Sequence, residues 1–177
     1  MTEPQRKMIL DWMRKIHQLE YAHRFESLKW EKRRYITGIL AFSISTIIAF
    51  SFKFPKVEPE TLELLPAFLH HNYFIAIASF IVAMLTGYQT FTKPNEKALT
   101  HKNTGSSYEK LRHRIEFVLT SEFQEWELKK RIEMIKEEWE GLDAINVSKK
   151  YFDEGKKKVQ SFNKYPKELD FLPDVKE

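Results

Sequence analysis

Histidines and carboxylates are the residues of this 177-residue chain that could support metal binding or acid–base chemistry. The chain has 6 histidines, 25 aspartates and glutamates and no cysteine, which excludes thiolate catalysis, disulfides and cysteine-ligated metal sites. The adjacent His70 and His71 would point in different directions on a helix, which does not suit a shared metal ion. Carboxylates such as Glu137 and Glu138 alternate with lysines, which is typical of a solvated helix face. The sequence therefore predicts no catalytic, cofactor or metal site.

Two segments carry side chains at the alternating spacing of three and four residues that is typical of a helix interface. In the first segment these positions are Ile9, Trp12, Ile16, Leu19, His23, Glu26 and Trp30. In the second they are His101, Thr104, Tyr108, Leu111, Ile115 and Val118. We expect the two helices to lie side by side, with His23 and His101 as hydrogen-bonded core residues. A proton switch is the alternative role for these histidines, and His17 is expected on a solvated face.

Turn and capping residues predict where the helices begin and end. Thr2 and Pro4 predict a helix from about residue 3, and no proline or glycine lies between Pro4 and Gly38 to stop it before the membrane. Further helices are expected to start at Pro94, to stop at Gly141 and to cover about 148–162. Whether residues 103–107 interrupt the helix after Pro94 stays open at this point, and Ser121 with Gln124 is a candidate cap for the helix that follows.

Two windows without a charged residue separate these segments. They are Tyr35–Phe52, with 18 residues, and Tyr73–Phe91, with 19 residues. As helices they would be about 27 to 29 Å long, close to the ~30 Å hydrocarbon core of a bilayer. The alternative, a pair of core helices in a soluble bundle, would normally show a polar face with charges at each turn. Neither window has one, so we predict two transmembrane helices.

Lysine and arginine are distributed unequally around the two windows. Residues 1–34 carry nine, residues 53–72 carry two and residues 92–177 carry eighteen, so the positive-inside rule predicts that both termini are cytoplasmic. The predicted fold class is all-α: a membrane hairpin continuous with a cytoplasmic helical bundle, expected to form homo-oligomers. The predicted parts are a cytoplasmic helix 1–34, spans 35–52 and 73–91, an external loop 53–72, cytoplasmic helices 92–163 and a flexible tail 164–177. The excess of basic residues is then explained by the orientation of the chain in the membrane, and no nucleic-acid partner is expected.

Each predicted span has a stripe of small or hydroxylated residues. In the first span the stripe is Gly38, Ala41, Ser45 and Ala49, which favours close helix packing. In the second span it is Ser79, Ala83, Thr86, Gly87 and Thr90, which fits packing or the lining of a pore. Two helices enclose no lumen, so a pore would need several copies of the chain.

The order of short motifs around the two spans suggests a family. The motifs before and within the first span are Ala22-His23, Trp30, Tyr35 and Gly38, and those after the second are Glu96-Lys97-Ala98, His101, Tyr108, Leu111 and Ile115. Across roughly residues 8–160 this arrangement resembles the SLATT family, the two-transmembrane effector domains that accompany nucleotide-second-messenger synthases and sensor domains in bacterial conflict systems.

The resemblance implies a membrane effector of a bacterial anti-phage system, located in the inner membrane. Such a protein oligomerises and opens a pore or permeabilises the bilayer when an upstream sensor signals infection. We expect the trigger to be a separate sensor, nucleotidyltransferase or reverse transcriptase of the same defence system, or a nucleotide signal. The alternative is a non-conducting anchor that docks a cytoplasmic partner at the membrane. An enzyme is not expected.

Overall fold

The computed structural model describes residues 1–51 and 71–166, and this part of the chain is all-helical. The five helices are α1 (Glu3–Ser51), α2 (His71–Thr92), α3 (Pro94–Thr120), α4 (Glu125–Glu140) and α5 (Lys149–Gln160), and the described residues contain no strand. The all-α prediction is confirmed. Nearly all of the predicted external loop 53–72 lies outside the described residues, as does most of the predicted tail.

Helix α1 is one uninterrupted helix of 49 residues, as the lack of an early proline or glycine predicted. A reciprocal cap starts it: the Gln5 backbone N–H donates to Thr2 Oγ1 at 3.4 Å, and the Thr2 N–H donates to Gln5 Oε1 at 2.9 Å. This arrangement satisfies two backbone donors that the first helical turn leaves without a partner.

A single residue, Lys93, separates α2 from α3. Lys93 has a φ of 45° and stands directly before Pro94, whose missing N–H and preset φ suit the first position of a helix. From there α3 continues through residues 103–107 without interruption, which answers the question that the sequence left open.

The later helices begin and end close to the predicted positions. The Gly141 N–H donates to Glu137 O at 2.9 Å and ends α4. The expected cap by Ser121 and Gln124 is wrong, because Gln124 makes no side-chain cap bond to α4. Its side-chain oxygen accepts a hydrogen bond from Trp126 Nε1 at 2.8 Å instead.

The chain divides into two compact units. The first unit comprises Met1–Lys29 and Lys97–Glu177, and the second unit comprises Trp30–Glu96. An apolar cluster forms the core of the first unit, where Trp12 meets Trp139 edge to face with ring centroids 5.9 Å apart. The buried members of this cluster are Ile9, Met13, Ile16, Tyr108, Leu111, Ile115, Val118, Leu128 and Ile135.

The second unit contains the most apolar helix segments of the described chain. α1 and α2 each contribute an 18-residue window with mean hydropathy of 1.2 or more, long and apolar enough to cross a membrane. Of these windows 0% and 6% are buried, and bulky side chains such as Phe42, Phe80 and Phe91 are 66% to 89% exposed. Core helices of a soluble bundle would instead be covered by other parts of the chain.

Candidate functional site

Polar side chains lie buried where α1 packs against α3 in the first unit. We call four of them, together with the partly buried Arg112, the polar seam: Glu20, His23, Glu26, His101 and Arg112. The predicted side-by-side arrangement of the two helices is confirmed, since Ser27 Oγ donates to Ala98 O at 2.9 Å across this interface. At Gly105 a Cβ would lie 3.5 Å from Glu20 O and from His23 Cβ, which is ordinary contact, so the interface has room for an alanine at this position.

His23 and His101 form a hydrogen-bonded pair inside the polar seam. Their Nδ1 atoms are 3.1 Å apart, their side chains are buried, and the Tyr108 ring centroid lies 5.5 Å from that of His23. Burial lowers the pKa of His23 to about 4, with a further contribution from His101, and Glu26 opposes the shift. Burial also lowers the pKa of His101. At neutral pH both rings are therefore uncharged, so one Nδ1 donates and the other accepts.

Glu26 connects α1 to the start of α5. Its Oε2 accepts hydrogen bonds from the Ser148 N–H at 3.0 Å and from Ser148 Oγ at 2.7 Å, and its Oε1 accepts from Lys29 at 2.7 Å. Burial by itself raises the pKa of Glu26, but the hydrogen bonds from Lys29 and Ser148 outweigh it and hold the pKa at about 2. The N-cap residue Ser148 makes no cap bond of its own, so a carboxylate from α1 satisfies that helix end.

A chain of charges continues the polar seam along α3. Arg112 Nε donates to the buried Glu20 at 2.9 Å, and its Nη1 donates to Glu116 at 2.8 Å. Lys164 contacts the same Glu116 carboxylate at 2.5 Å. Sequence reasoning missed this chain of charges, because charges four residues apart on a helix are as typical of a solvated face as of a buried network.

Helix α5 packs directly on the backbone of α1 through Gly155. A Cβ at this buried glycine would lie 2.6 Å from Gln18 O and 2.9 Å from Ala22 N. Val159, one turn further, is 1% exposed. The sequence signal for this contact is a lone glycine inside a helical pattern, which is consistent with either a packing role or no role.

The prediction of a solvated His17 is wrong. His17 is 6% exposed, stacks on Phe162 with centroids 5.6 Å apart, and its Nδ1 lies 3.0 Å from the Tyr165 hydroxyl. Burial and the nearby Arg112 and Lys164 lower the pKa of His17 to about 4. The first residues of the predicted flexible tail, Lys164 and Tyr165, are thus held against α1 and α3, and residues 167–177 lie outside the described part.

In the second unit, α1 and α2 contact each other through Gln89, a residue that sequence reasoning did not single out. Gln89 Nε2 donates to Thr37 Oγ1 at 2.9 Å, and a Cβ at Gly38 would lie 3.7 Å from the same nitrogen. Gly38 and Ala41 of the predicted packing stripe are half-buried, whereas Ser45 and Ala49 are exposed in the single chain. Their packing role stays a prediction.

The predicted pore-lining residues lie on the surface of a single chain. Ser79, Ala83, Thr86 and Thr90 are exposed and Gly87 is half-buried. The hydroxyls of Thr86 and Thr90 donate to the backbone carbonyls of Val82 at 2.9 Å and of Thr86 at 3.0 Å. Their donors are therefore satisfied within the helix, whatever surrounds it.

The other residues that were singled out from the sequence pack against neighbouring side chains. Trp30 is half-buried and holds the Arg33 guanidinium 4.9 Å from its ring centroid. Tyr108, Leu111 and Ile115 are core residues of the first unit. Among the described residues no group of three or more histidine, cysteine or acidic side chains could hold a metal ion.

The chain matches no model of a protein family, no curated protein and no solved structure. A function can therefore be inferred only from the polar seam and the exposed apolar helices.

Proposed function

We propose that this protein is a membrane effector of bacterial anti-phage defence, which assembles from several copies in the inner membrane and permeabilises it. The observation that carries the proposal is the exposure of both apolar windows, of which 0% and 6% are buried. Soluble monomers rarely expose a contiguous apolar patch larger than a few hundred Å². Lipid and further copies of the chain are the surroundings that would cover such helices.

A two-span hairpin with both termini in the cytoplasm fits these helices. The hydrogen bond from Gln89 to Thr37 joins α1 and α2 and would be worth about 1 kcal/mol inside a bilayer. Of the 29 lysines and arginines, all but Lys53 and Lys56 lie outside the segment 53–72 that would face away from the cytoplasm. This distribution supports the proposed orientation.

The pore would be lined by the α2 face that carries Ser79, Ala83, Thr86 and Thr90. This face is exposed in the single chain, so a second copy can approach it closely through its small side chains. A lumen with hydroxyl and apolar groups and no charge would discriminate weakly between ions. The trigger would be a separate sensor, nucleotidyltransferase or reverse transcriptase, or a nucleotide signal, as the resemblance to the SLATT family implies.

A non-conducting membrane anchor is the second candidate, and one observation favours it. The Thr86 and Thr90 hydroxyls bond to their own helix backbone, so they need no lumen water and tolerate lipid. In this case the first unit would be a docking platform for a cytoplasmic partner.

Membrane potential in expressing cells distinguishes the two candidates. The pore proposal predicts depolarisation by the wild-type chain, loss of depolarisation in Thr86→Leu, and no change in Met84→Leu, a control at a position that is 61% exposed on another face of α2. Membrane insertion is measured for each variant by fractionation. If Thr86→Leu depolarises the membrane at the wild-type level, this face does not line the pore. If the inserted wild-type chain does not depolarise the membrane even when it is overexpressed together with its neighbouring genes, the anchor is favoured.

A further inference from the structure

An apolar groove with a cationic rim lies between α3 and α4 in the first unit. It encloses about 440 Å³, and its most accessible apolar side chains, Phe117 and Met134, are 53% and 54% exposed. Val118 and Ile135 form its buried floor. Three basic side chains complete the lining: His113, Arg114 and Arg131.

The rim keeps hydrogen-bonding capacity for an anionic ligand. Arg114 contacts Glu138, and Arg131 contacts Glu127 at 2.8 Å while its guanidinium lies 5.6 Å from the Phe117 ring centroid. A guanidinium has five N–H donors, so one carboxylate does not saturate either arginine. No carboxylate is among the described residues that line the groove. The groove therefore suits a ligand that combines apolar and acidic side chains.

Shortly before its last described residue the chain contacts α3 one turn from the groove. After α5 the chain returns to α3, where Lys164 Nζ lies 2.5 Å from Glu116 Oε1. The other oxygen of Glu116 is 3.1 Å from Nδ1 of His113, which lines the groove. Pro166, two residues after Lys164, is the last described residue.

The sequence that follows has the required chemistry. Residues 168–174 read ELDFLPD, with three carboxylates, no basic residue and the large apolar side chains Leu169, Phe171 and Leu172. Phe171 is five positions after Pro166, and an extended chain covers about 17 Å over five positions. This length exceeds the width of α3, since a helix with its side chains is about 10 to 12 Å across.

We propose that the groove between α3 and α4 is the docking site of the chain's own segment 168–174. Phe171 fills the apolar space beside Phe117 and Met134, and the carboxylates of Asp170 and Asp174 pair with the arginines of the rim. The docked segment would tie the end of the chain across α3 and α4, whether or not the protein forms a pore.

Cysteine pairs test this docking directly, because the chain contains no cysteine of its own. The full-length Met134→Cys/Leu172→Cys protein, which keeps Phe171, is treated in detergent with a short bismaleimide, and intrachain crosslinking is measured. The control is Leu99→Cys/Leu172→Cys, in which the α3 partner is as exposed, at 55%. Leu99 lies 17 residues from Glu116, or about 25 Å along α3, which is beyond the reach of the segment.

The groove pair should crosslink at least about tenfold faster than the control pair, the equivalent of about 1.4 kcal/mol of preference. Adding Asp170→Lys and Asp174→Lys should remove this advantage while leaving the circular dichroism spectrum unchanged, since neither position belongs to one of the five helices α1–α5. Equal rates for the two pairs would overturn the proposal, as would an advantage that survives charge reversal. Crosslinking chiefly between two chains when singly substituted proteins are mixed would also overturn it and assign the groove to a second copy.

Discussion

Replacing Gly155 with alanine has two opposite effects on stability. It favours the helical conformation of α5, and it disturbs the packing of α5 on α1. Alanine is about 1 kcal/mol better than glycine inside a helix, so sequence rules predict stabilisation. In the structure the new Cβ would lie 2.6 Å from Gln18 O and 2.9 Å from Ala22 N. Both are backbone atoms that no rotamer change can move, so α5 must withdraw by about 0.8 Å to reach the 3.4 Å at which ordinary contact begins.

Overpacking of this kind costs about 1 to 3 kcal/mol. The cost should lie at the upper end of this range, because Val159 on the same face is 1% exposed and would lose contacts when α5 withdraws. Taking about 3 kcal/mol for the overlap and subtracting about 1 kcal/mol of propensity leaves a net loss near 2 kcal/mol. For a chain of this size that lowers Tm by about 4 to 8 °C.

The assay is thermal unfolding in detergent, followed by circular dichroism at 222 nm. Gly105→Ala is the matched control, because a Cβ at Gly105 meets neighbours no closer than 3.5 Å and alanine should raise stability by up to about 1 kcal/mol. A Gly155→Ala protein as stable as wild type, or equal losses in both variants, would refute the packing argument.

Three further predictions concern the polar seam and use the same unfolding measurement. Glu26→Gln should lose about 2 kcal/mol at pH 7. The difference should shrink as pH falls from 4.5 toward 2, because the pKa of Glu26 is about 2 in the folded chain and 4.5 in the free side chain, so the unfolded chain takes up the proton first. A difference independent of pH would contradict the charged cap. The pKa of His23 is about 4 in the folded chain against 6.5 for the free side chain, so the unfolded chain takes up the proton first and stability falls below pH 6.5, by about 2 kcal/mol at pH 5. His23→Gln should remove this part of the loss and the exposed His113→Gln should not; equal pH dependence in both would refute it. Arg112→Met should cost about 2 kcal/mol by taking a cation from buried Glu20, less than the about 3 to 5 kcal/mol for a sole partner because Arg24 also pairs with Glu20 at 3.0 Å. Adding Glu20→Met should recover most of the loss; no recovery would argue against pairing as the cause.

The sequence determined the helical architecture and much of the packing. Spacing of three and four residues identified the α1 and α3 faces that pack together, because side chains at this interval share one helix face. The charge-free windows located the apolar helices for a similar reason, since a composition without charges over 18 residues is rare in water-facing helices. Pro94 and Gly141 marked helix limits through local backbone chemistry that requires no tertiary partner.

Which polar residues are partners depends on the tertiary structure. Glu26 with Ser148, His17 with Tyr165 and Gln89 with Thr37 are 122, 148 and 52 residues apart, and local periodicity carries no information about contacts at such separations. Gly155 shows the same limit. Helix propensity alone counts a glycine inside a helix as destabilising, whereas here the glycine lets α5 pack against the backbone of α1. Side-chain type and spacing specify which face is buried, whereas the identity of the partner depends on how the helices come together.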